Sequence, residues 1–143
     1  MKDCSLTWEL DSLYPHPETA EFRAAVDASK AALGELAERS NSLDTVGASS
    51  AGEWGAFLGE YGNAVSELNS MSAFVSCHGS ADAANKTFMK YEGELASFGP
   101  LVARICTNIE FGLQAASNEE FEAFLAADSW LSENAFFVGQ ARK

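Results

Sequence analysis

Positive charge, cysteine, histidine and strand-forming patterns are all scarce in this sequence. Nine Lys and Arg residues stand against 21 Asp and Glu residues, which gives a formal net charge of −12. Such a field repels phosphate backbones and anionic lipid headgroups, so we expect neither nucleic acid nor a membrane as a partner. Two interpretations of the charge stay open, solubility alone and an attraction for cationic peptides.

The three cysteines, Cys4, Cys77 and Cys106, are far apart and form no CxxC pair, so neither a disulfide framework nor a structural zinc site is expected. The two histidines are His16 and His78, and neither begins the HExxH motif of zinc peptidases. Cys77 and His78 would diverge on a helix and cannot chelate one ion well together. We expect His16 to hydrogen-bond locally and His78 to interact with the last carbonyls of its helix.

Other catalytic motifs are missing as well. The sequence contains no GxxxxGK[ST], GxGxxG or GxSxG pattern, so phosphate-binding loops and nucleophile elbows are not expected. The paired carboxylates Glu119–Glu120 and Glu92 with Glu94 occupy surface positions of predicted helices. We therefore predict no catalytic, cofactor-binding or metal-ligating residue in this chain.

Size and hydropathy favour one domain spanning 1–143. Hydrophobic residues make up 47% of the 143 residues, which is enough for a packed core. No apolar run reaches the length of about 18 residues that spans a bilayer. The segment Met1–Leu10 lacks the apolar centre of a secretory signal, so we expect a soluble, cytoplasmic protein.

Apolar residues spaced by three and four predict helices over most of the chain. The first helix is expected from about Pro17 to Ser40. The second opens at Ser50, where Ser50 and Glu53 would form a capping box, and ends at His78–Ser80, which would also cap the third. It contains three glycines, Gly55, Gly59 and Gly62. They indicate either the close approach of a neighbouring backbone or ring, or simple tolerance of glycine in a packed helix.

The third helix carries the most regular apolar stripe, from Phe88 to Ile109. Because the stripe keeps its phase through Pro100, one bent helix is favoured over two. The short connection before this helix predicts that Trp54–Cys77 and Ala83–Leu113 pack as an antiparallel hairpin. The predicted fold is thus an all-α bundle of four to five helices with a long antiparallel helical hairpin.

The C-terminal region predicts shorter helices. A capping box from Ser117 to Glu120 would begin a helix that runs from Glu119 to about Ala127. Asp128–Ser129 would begin a last helix, and its apolar residues are Trp130, Leu131, Phe136, Phe137 and Val138. No helix breaker precedes Lys143, so we expect the chain to be cut through a helix.

The segment Thr7–Pro15 resembles the start of oligoendopeptidase F-type members of the M3 metallopeptidase family, which begin with a W-x-L-x-x-L-Y motif. The matching residues are Trp8, Leu10, Leu13, Tyr14 and Pro15. The order of the later helices is similar in layout over the whole chain, but the specific motif is confined to this segment.

This resemblance implies that the chain is the N-terminal helical part of a cytoplasmic zinc oligopeptidase. Its helices would help wall a channel that admits short peptides. The partners would be the parent's own catalytic domain, which this chain lacks, and an oligopeptide substrate; zinc would reside in that domain and no cofactor in this chain. The alternatives are a self-contained helical module that binds a partner helix in an apolar groove, and a plain structural bundle.

Three further expectations depend on packing. The chain alone should neither hold zinc nor cleave peptides. Trp8 and Tyr14 should be buried against the helices, so that deletion of residues 1–15 destabilises the domain. Phe136 and Phe137 point about 100° apart on a helix, so one ring should face away and be covered in a homodimer, unless the hairpin buries both.

Overall fold

The computed structural model describes Leu10 and residues 12–143. Helix makes up 76% of the structure and no strand occurs in the described part, which confirms the predicted all-α bundle. The helical segments are α1 Ala20–Ser40, α2 Ala51–Ala81, α3 Lys86–Ala96, α4 Gly99–Ala115, α5 Asn118–Ala126, α6 Ser129–Glu133 and α7 Ala135–Ala141. These segments outnumber the four to five helices expected because the C-terminal region divides into three short ones.

α1 begins three residues later than predicted. Thr19 is its N-cap, and the Thr19 hydroxyl accepts a hydrogen bond from the Phe22 N–H at 3.3 Å. The same hydroxyl donates to the His16 carbonyl at 2.7 Å, which holds the preceding turn against the helix. Pro17 therefore lies in a turn before the helix rather than at its first position, while the end at Ser40 agrees with the prediction.

α2 begins after Ser50 as predicted, but its start lacks the predicted capping box and its end lies later than predicted. Ser50 is the N-cap, but its hydroxyl donates to the Thr45 carbonyl at 2.7 Å and makes no capping bond, so the predicted box with Glu53 is wrong. At the other end α2 continues past His78–Ser80 to Ala81. The cap of α3 is Asn85, whose Oδ1 accepts from the Thr87 N–H at 2.9 Å.

The predicted antiparallel hairpin is packed over α2 and α3, and Trp54 extends its contact to α4. Trp54 near the start of α2 lies against Gly112 near the end of α4, whereas His78 near the end of α2 lies against Phe88 at the start of α3. The pair Trp54 and Gly112 is far apart in sequence, whereas the pair nearer the turn is close in sequence, as an antiparallel arrangement requires.

α3 and α4 form one bent helix of 30 residues, as the continuous stripe predicted. The bend lies at Ser97–Phe98, where the Ser97 N–H still donates to the Gly93 carbonyl at 3.1 Å. Pro100 follows in the first turn of α4, where its missing N–H removes no bond within α4. Because of the bend, α3 packs mainly on α2 and α4 mainly on α1, with Phe98 buried at the corner.

The core follows the predicted apolar stripes. On α1 the buried residues include Phe22, Val26, Ser29, Leu33 and Leu36, so the small Ser29 lies within the apolar stripe. The largest fully buried side chains come from several helices and include Trp54, Phe57, Phe98, Phe124, Met71 and Ile105. Burial of each large apolar side chain contributes roughly 1.5–3 kcal/mol.

We call the segments α5 to α7 the C-terminal hook. Side-chain hydrogen bonds cap the N-termini of its first two helices. The predicted capping box is confirmed, since the Glu120 N–H donates to the Ser117 hydroxyl at 3.2 Å and the Ser117 N–H donates to Glu120 Oε2 at 2.8 Å. The Glu120 pKa is lowered by these hydrogen bonds from Ser117. Asp128 caps α6, because its Oδ1 accepts from the Leu131 N–H at 3.0 Å.

Arg142 ties the hook back to α4. Its Nε donates to the Leu113 carbonyl at 3.2 Å and its Nη2 donates to the Ala116 carbonyl at 2.6 Å. The guanidinium also lies 4.5 Å from the centre of the Phe121 ring. One side chain thus satisfies two carbonyls at the end of α4, where an α-helix lacks internal partners.

Candidate functional site

The two histidines come together, although they are 62 positions apart in the sequence. The centres of the His16 and His78 rings are 4.8 Å apart, and the His78 ring also contacts Phe74 at 4.7 Å and Phe88 at 5.4 Å. His16 Nδ1 accepts from the Glu18 N–H at 3.3 Å, which is the local bond that the sequence predicted. His78 lies in the last turn of α2. The pair belongs to an aromatic cluster where the N-terminal segment meets the hairpin.

Two of the paired carboxylates named in the sequence analysis, Glu94 and Glu120, stabilise the fold. Glu94 is bound by Arg23, with Nη1 2.6 Å from Oε2, and Glu120 caps α5. Among Leu10 and residues 12–143, no group of three or more His, Cys, Asp and Glu side chains is placed to hold a metal ion. No helix in that same part of the chain has both the length and the apolarity needed to cross a bilayer.

Phe136 and Phe137 are the most exposed large apolar side chains in the part of the chain that the structure describes. Each keeps 71% of its surface exposed, and the two rings meet edge to face with centres 5.6 Å apart. We expected one of the two rings to face away from the bundle, and in the structure both rings do. The alternative, that the hairpin buries both rings, is wrong. The physical reason is that α7 turns Val138 into the core instead. We call these two rings the Phe136–Phe137 pair.

A second surface feature lies between α1 and α2. Two open depressions of about 430 Å³ and about 370 Å³ share Ala32, Ala64 and Glu67, so they form one continuous groove. Small residues and longer polar ones both line it, and they are Ala25, Ala28, Ser29, Ala32, Glu35, Leu36, Arg39, Glu60, Asn63, Ala64 and Glu67. We call this feature, together with its extension described next, the α1–α2 groove.

The groove extends along α2 toward the N-terminal segment. A third depression, of about 560 Å³, is bounded by Leu10, Leu13, Tyr14, Phe74 and neighbouring α2 residues as far as Cys77. Tyr14 joins it to the first two, because its hydroxyl donates to Glu67 Oε1 at 2.9 Å. Burial, and then the hydrogen bond to Glu67, raise the Tyr14 pKa above its usual value.

Three residues of the W-x-L-x-x-L-Y segment therefore form one end of the groove. Tyr14 is half-buried, with its ring centre 5.4 Å from that of Phe74 and 6.4 Å from that of Phe22. Leu10 packs against the core as well, whereas Leu13 is 68% exposed. The expectation for Tyr14 is met in part, and Trp8 lies outside the described residues.

Carboxylates dominate the charge at the groove. Arg39 is held by Glu60, with Nη1 2.5 Å from Oε2, and lies 5.5 Å from the Phe57 ring centre. This hydrogen bond lowers the Glu60 pKa and raises that of Arg39. Three carboxylates, Glu35, Glu60 and Glu67, line the first two depressions against one cation, Arg39, and no lysine lines any of the three depressions.

The groove was missed in reasoning from the sequence, although a signal was there. Ala25, Ala28 and Ala32 repeat at helical spacing on α1, away from the core stripe. On α2 the partly exposed Ala64 adds one more small side chain. Small side chains on two exposed faces indicate a depression only once it is known that these faces adjoin, and that register is set by tertiary packing.

No family model, no curated protein and no solved structure matches this chain.

Proposed function

We propose that this chain is a non-catalytic helical domain of a cytoplasmic zinc oligopeptidase of the oligoendopeptidase F type. In that role it docks on the catalytic domain of the parent protein and helps wall a channel for short peptides. The parent's catalytic domain supplies the zinc and its ligands. The observation that carries the proposal is the Phe136–Phe137 pair, because two exposed rings on one short helix need a covering body.

The apolar area of the two rings is large enough to support docking at this place. A phenylalanine can bury on the order of 150–250 Å² of surface. At roughly 25 cal/mol per Å², covering two largely exposed rings contributes several kcal/mol to association before its entropic cost. The N-terminal motif supports the family assignment separately, since Leu10 and Tyr14 pack against the bundle as a structural segment would.

The test is the encoded sequence beyond Lys143 together with an activity assay. The proposal expects an HExxH helix downstream and a further glutamate ligand. It also expects that the chain alone retains no zinc after dialysis and does not cleave a quenched fluorescent peptide. Tight stoichiometric zinc in this chain, or turnover that a chelator abolishes, would overturn it, as would a downstream sequence without a zinc motif.

Without its covering domain, the isolated chain should self-associate through the same rings as a symmetric dimer. Sedimentation of the wild type should show a dimer, whereas the Phe136→Ser, Phe137→Ser double variant should sediment as a monomer. Phe111→Ser is the matched control, because Phe111 is 66% exposed on α4 but lies outside the pair. If the wild type is a monomer at all concentrations, the pair does not drive assembly.

A self-contained interaction module is the second candidate, and the α1–α2 groove favours it. An elongated depression between two helices, lined by small and apolar residues, suits a partner helix. The two candidates use different surfaces, because no lining residue of the groove belongs to α7.

A further inference from the structure

We propose that the α1–α2 groove binds an amphipathic helix of a partner protein whose apolar face is flanked by lysine and arginine. The inference rests on the interaction-module candidate and is independent of the peptidase proposal. It commits to a cationic partner helix, and three properties of the groove carry it: its length, the shape of its surface and the sign of its charge.

The length of the groove fits a helix of ordinary size. Its lining on α2 extends from Glu60 to Cys77, and at 1.5 Å per residue this distance is about 25 Å. A ligand helix of about 17 residues has the same length. On α1 the lining extends from Ala25 to Arg39, which runs antiparallel to the α2 wall, as the Arg39–Glu60 ion pair at one end requires.

The surface of the groove changes along its length. In the middle, Ala28 and Ala32 on α1 face Ala64 on α2, so a ligand backbone can approach closely there. At the far end Tyr14, Phe74 and the exposed Leu13 form a wider apolar depression, which suits a large ligand side chain. A helix with small residues at its centre and a bulky apolar residue near one end is complementary to this shape.

The charge of the groove selects the flanks of the ligand. Its lining contains three carboxylates, Glu35, Glu60 and Glu67, and one cation, Arg39, which is paired with Glu60, so the net charge of the lining is negative. The chain as a whole carries −12, so the long-range field also attracts a cationic segment. The same charge opposes a second copy of this chain as the occupant.

The probe is a synthetic amphipathic peptide of about 18 residues, with an Ala- and Leu-rich face flanked by lysines, and its control has glutamate at each lysine position. Fluorescence anisotropy should give a dissociation constant of roughly 1–100 μM for the lysine peptide at low salt and weaker binding as salt rises. The glutamate peptide should bind more than about tenfold more weakly.

Two adjacent alanines on α1 provide matched variants. Ala32 lines the groove and Ala31 does not, although both are exposed. Ala32→Trp should fill the groove and weaken binding more than about tenfold, whereas Ala31→Trp should change it by less than about twofold. The double variant Glu35→Gln, Glu67→Gln leaves the shape nearly intact and should reduce both the affinity and its salt dependence. Circular dichroism of each variant checks that the fold is kept.

Several outcomes would overturn the inference. Equal binding of the lysine and glutamate peptides would show that charge does not select the ligand, and no binding at millimolar peptide would show that the groove is not a helix site. Equal effects of Ala31→Trp and Ala32→Trp would place binding elsewhere. A concentration-dependent dimer that Ala32→Trp abolishes would assign the groove to self-association. Because α7 is untouched in all of these variants, failure here leaves the Phe136–Phe137 proposal intact.

Discussion

The two ends of the α2–α3–α4 hairpin are held together in different ways. At the indole end, Trp54 is fully buried, its Nε1 donates to the Asp44 carbonyl at 2.9 Å, and its ring meets Phe124 edge to face. The backbone of Gly112 lies so close that an ideal Cβ there would be 2.6 Å from Cη2 of the indole. This end is fixed by shape, because a rigid ring occupies the space that a side chain on α4 would need.

At the histidine end, separate rings meet without such a constraint. His16, Phe74, His78 and Phe88 have ring centres between 4.7 and 5.8 Å apart, and His16 and His78 are both half-buried. Arg23 connects α1 to α3 nearby by its ion pair with Glu94. This end combines two buried rings, Phe74 and Phe88, with half-buried histidines and an ion pair, so we expect the loss of one of its partly exposed contacts to cost less than an added methyl group at the indole end.

Among these predictions, the largest loss of stability should come from Gly112→Ala. The added Cβ would lie 2.6 Å from Cη2 and 2.9 Å from Cζ2 of a ring that cannot move, because it is buried and hydrogen-bonded. We expect the free energy of unfolding to fall by about 1–3 kcal/mol, despite the higher helix propensity of alanine. Urea denaturation measures the change.

Gly93→Ala is the matched control for this substitution. Gly93 also lies inside a helix, but nothing lies within 4 Å of the position its Cβ would take. We expect the propensity gain of about 0.5–1 kcal/mol to appear in full, so that the two variants change stability in opposite directions. A stabilising Gly112→Ala would contradict the contrast between the two ends.

Tyr14→Ala should cause the next largest loss of stability, and it acts near the histidine end of the hairpin. It removes ring contacts with Phe22 and Phe74, and because Tyr14 is only half-buried we expect a loss of about 1–2 kcal/mol. Tyr14→Phe keeps the ring and removes only the exposed hydrogen bond to Glu67, so it should cost about 0.5 kcal/mol. Deletion of residues 1–15 should cost at least as much as Tyr14→Ala, and an unchanged melting temperature would show that the segment is not structural.

The Arg23–Glu94 pair predicts a smaller, pH-dependent effect. The hydrogen bond from Arg23 lowers the Glu94 pKa below its usual value of 4.5, so the pair stabilises the fold above that pH and the contribution is lost as the pH falls through the lowered pKa. Because both side chains are partly exposed, Glu94→Gln should cost about 1 kcal/mol at neutral pH.

The difference between wild type and Glu94→Gln should shrink in acid, which urea titrations at several pH values would show. Glu38→Gln is the control, because Glu38 is 75% exposed at its 3.2 Å contact with Arg104. Its effect should be close to zero at every pH. A Glu94→Gln deficit that grows in acid would contradict the assigned sign.

The smallest expected difference is in the rates at which the two described thiols react. These rates report local exposure, and measuring them requires no change in the stability of the fold. Cys77 is exposed near the histidine end, whereas Cys106 is half-buried in mid-hairpin and its Sγ donates to Glu110 Oε1 at 3.4 Å. Burial, and then the bond to Glu110, raise the Cys106 pKa, which lowers its thiolate fraction. In a Cys4→Ser background, a maleimide should therefore label Cys77 several-fold faster, as mass spectrometry of peptides would show. Faster labelling of Cys106 would indicate that the middle of the hairpin opens first.

Much of the fold could be predicted because it depends on local patterns. The stripe from Phe88 to Ile109 predicted the bent helix, and the Ser117–Glu120 capping box formed because both partners lie within one turn. The pattern at Ser50 and Glu53 looked equivalent, but the Ser50 hydroxyl is taken by the Thr45 carbonyl. A loop conformation that competes for the same hydroxyl is not visible in a four-residue motif.

The surfaces were harder to predict than the helices. The glycines of α2 illustrate this, since Gly59 approaches the Trp130 ring, Gly55 approaches the Asp128 carboxylate, and Gly62 approaches nothing within 4 Å. Both interpretations left open by the sequence therefore apply, at different positions of one helix. Which of them applies depends on where the C-terminal hook crosses α2, and the α1–α2 groove depends on tertiary register in the same way.

Arg142 has a consequence for the order in which the fold opens. Its hydrogen bonds to the Leu113 and Ala116 carbonyls close the hook on the end of α4, so release of this side chain should favour local opening of α7 while the long helices stay folded. Amide hydrogens of α7 should then exchange with deuterium well before those of α2, and Arg142→Ala should accelerate exchange in α7 alone. α7 would thus behave as a local opening unit, held by the Arg142 guanidinium and by the buried Val138 side chain.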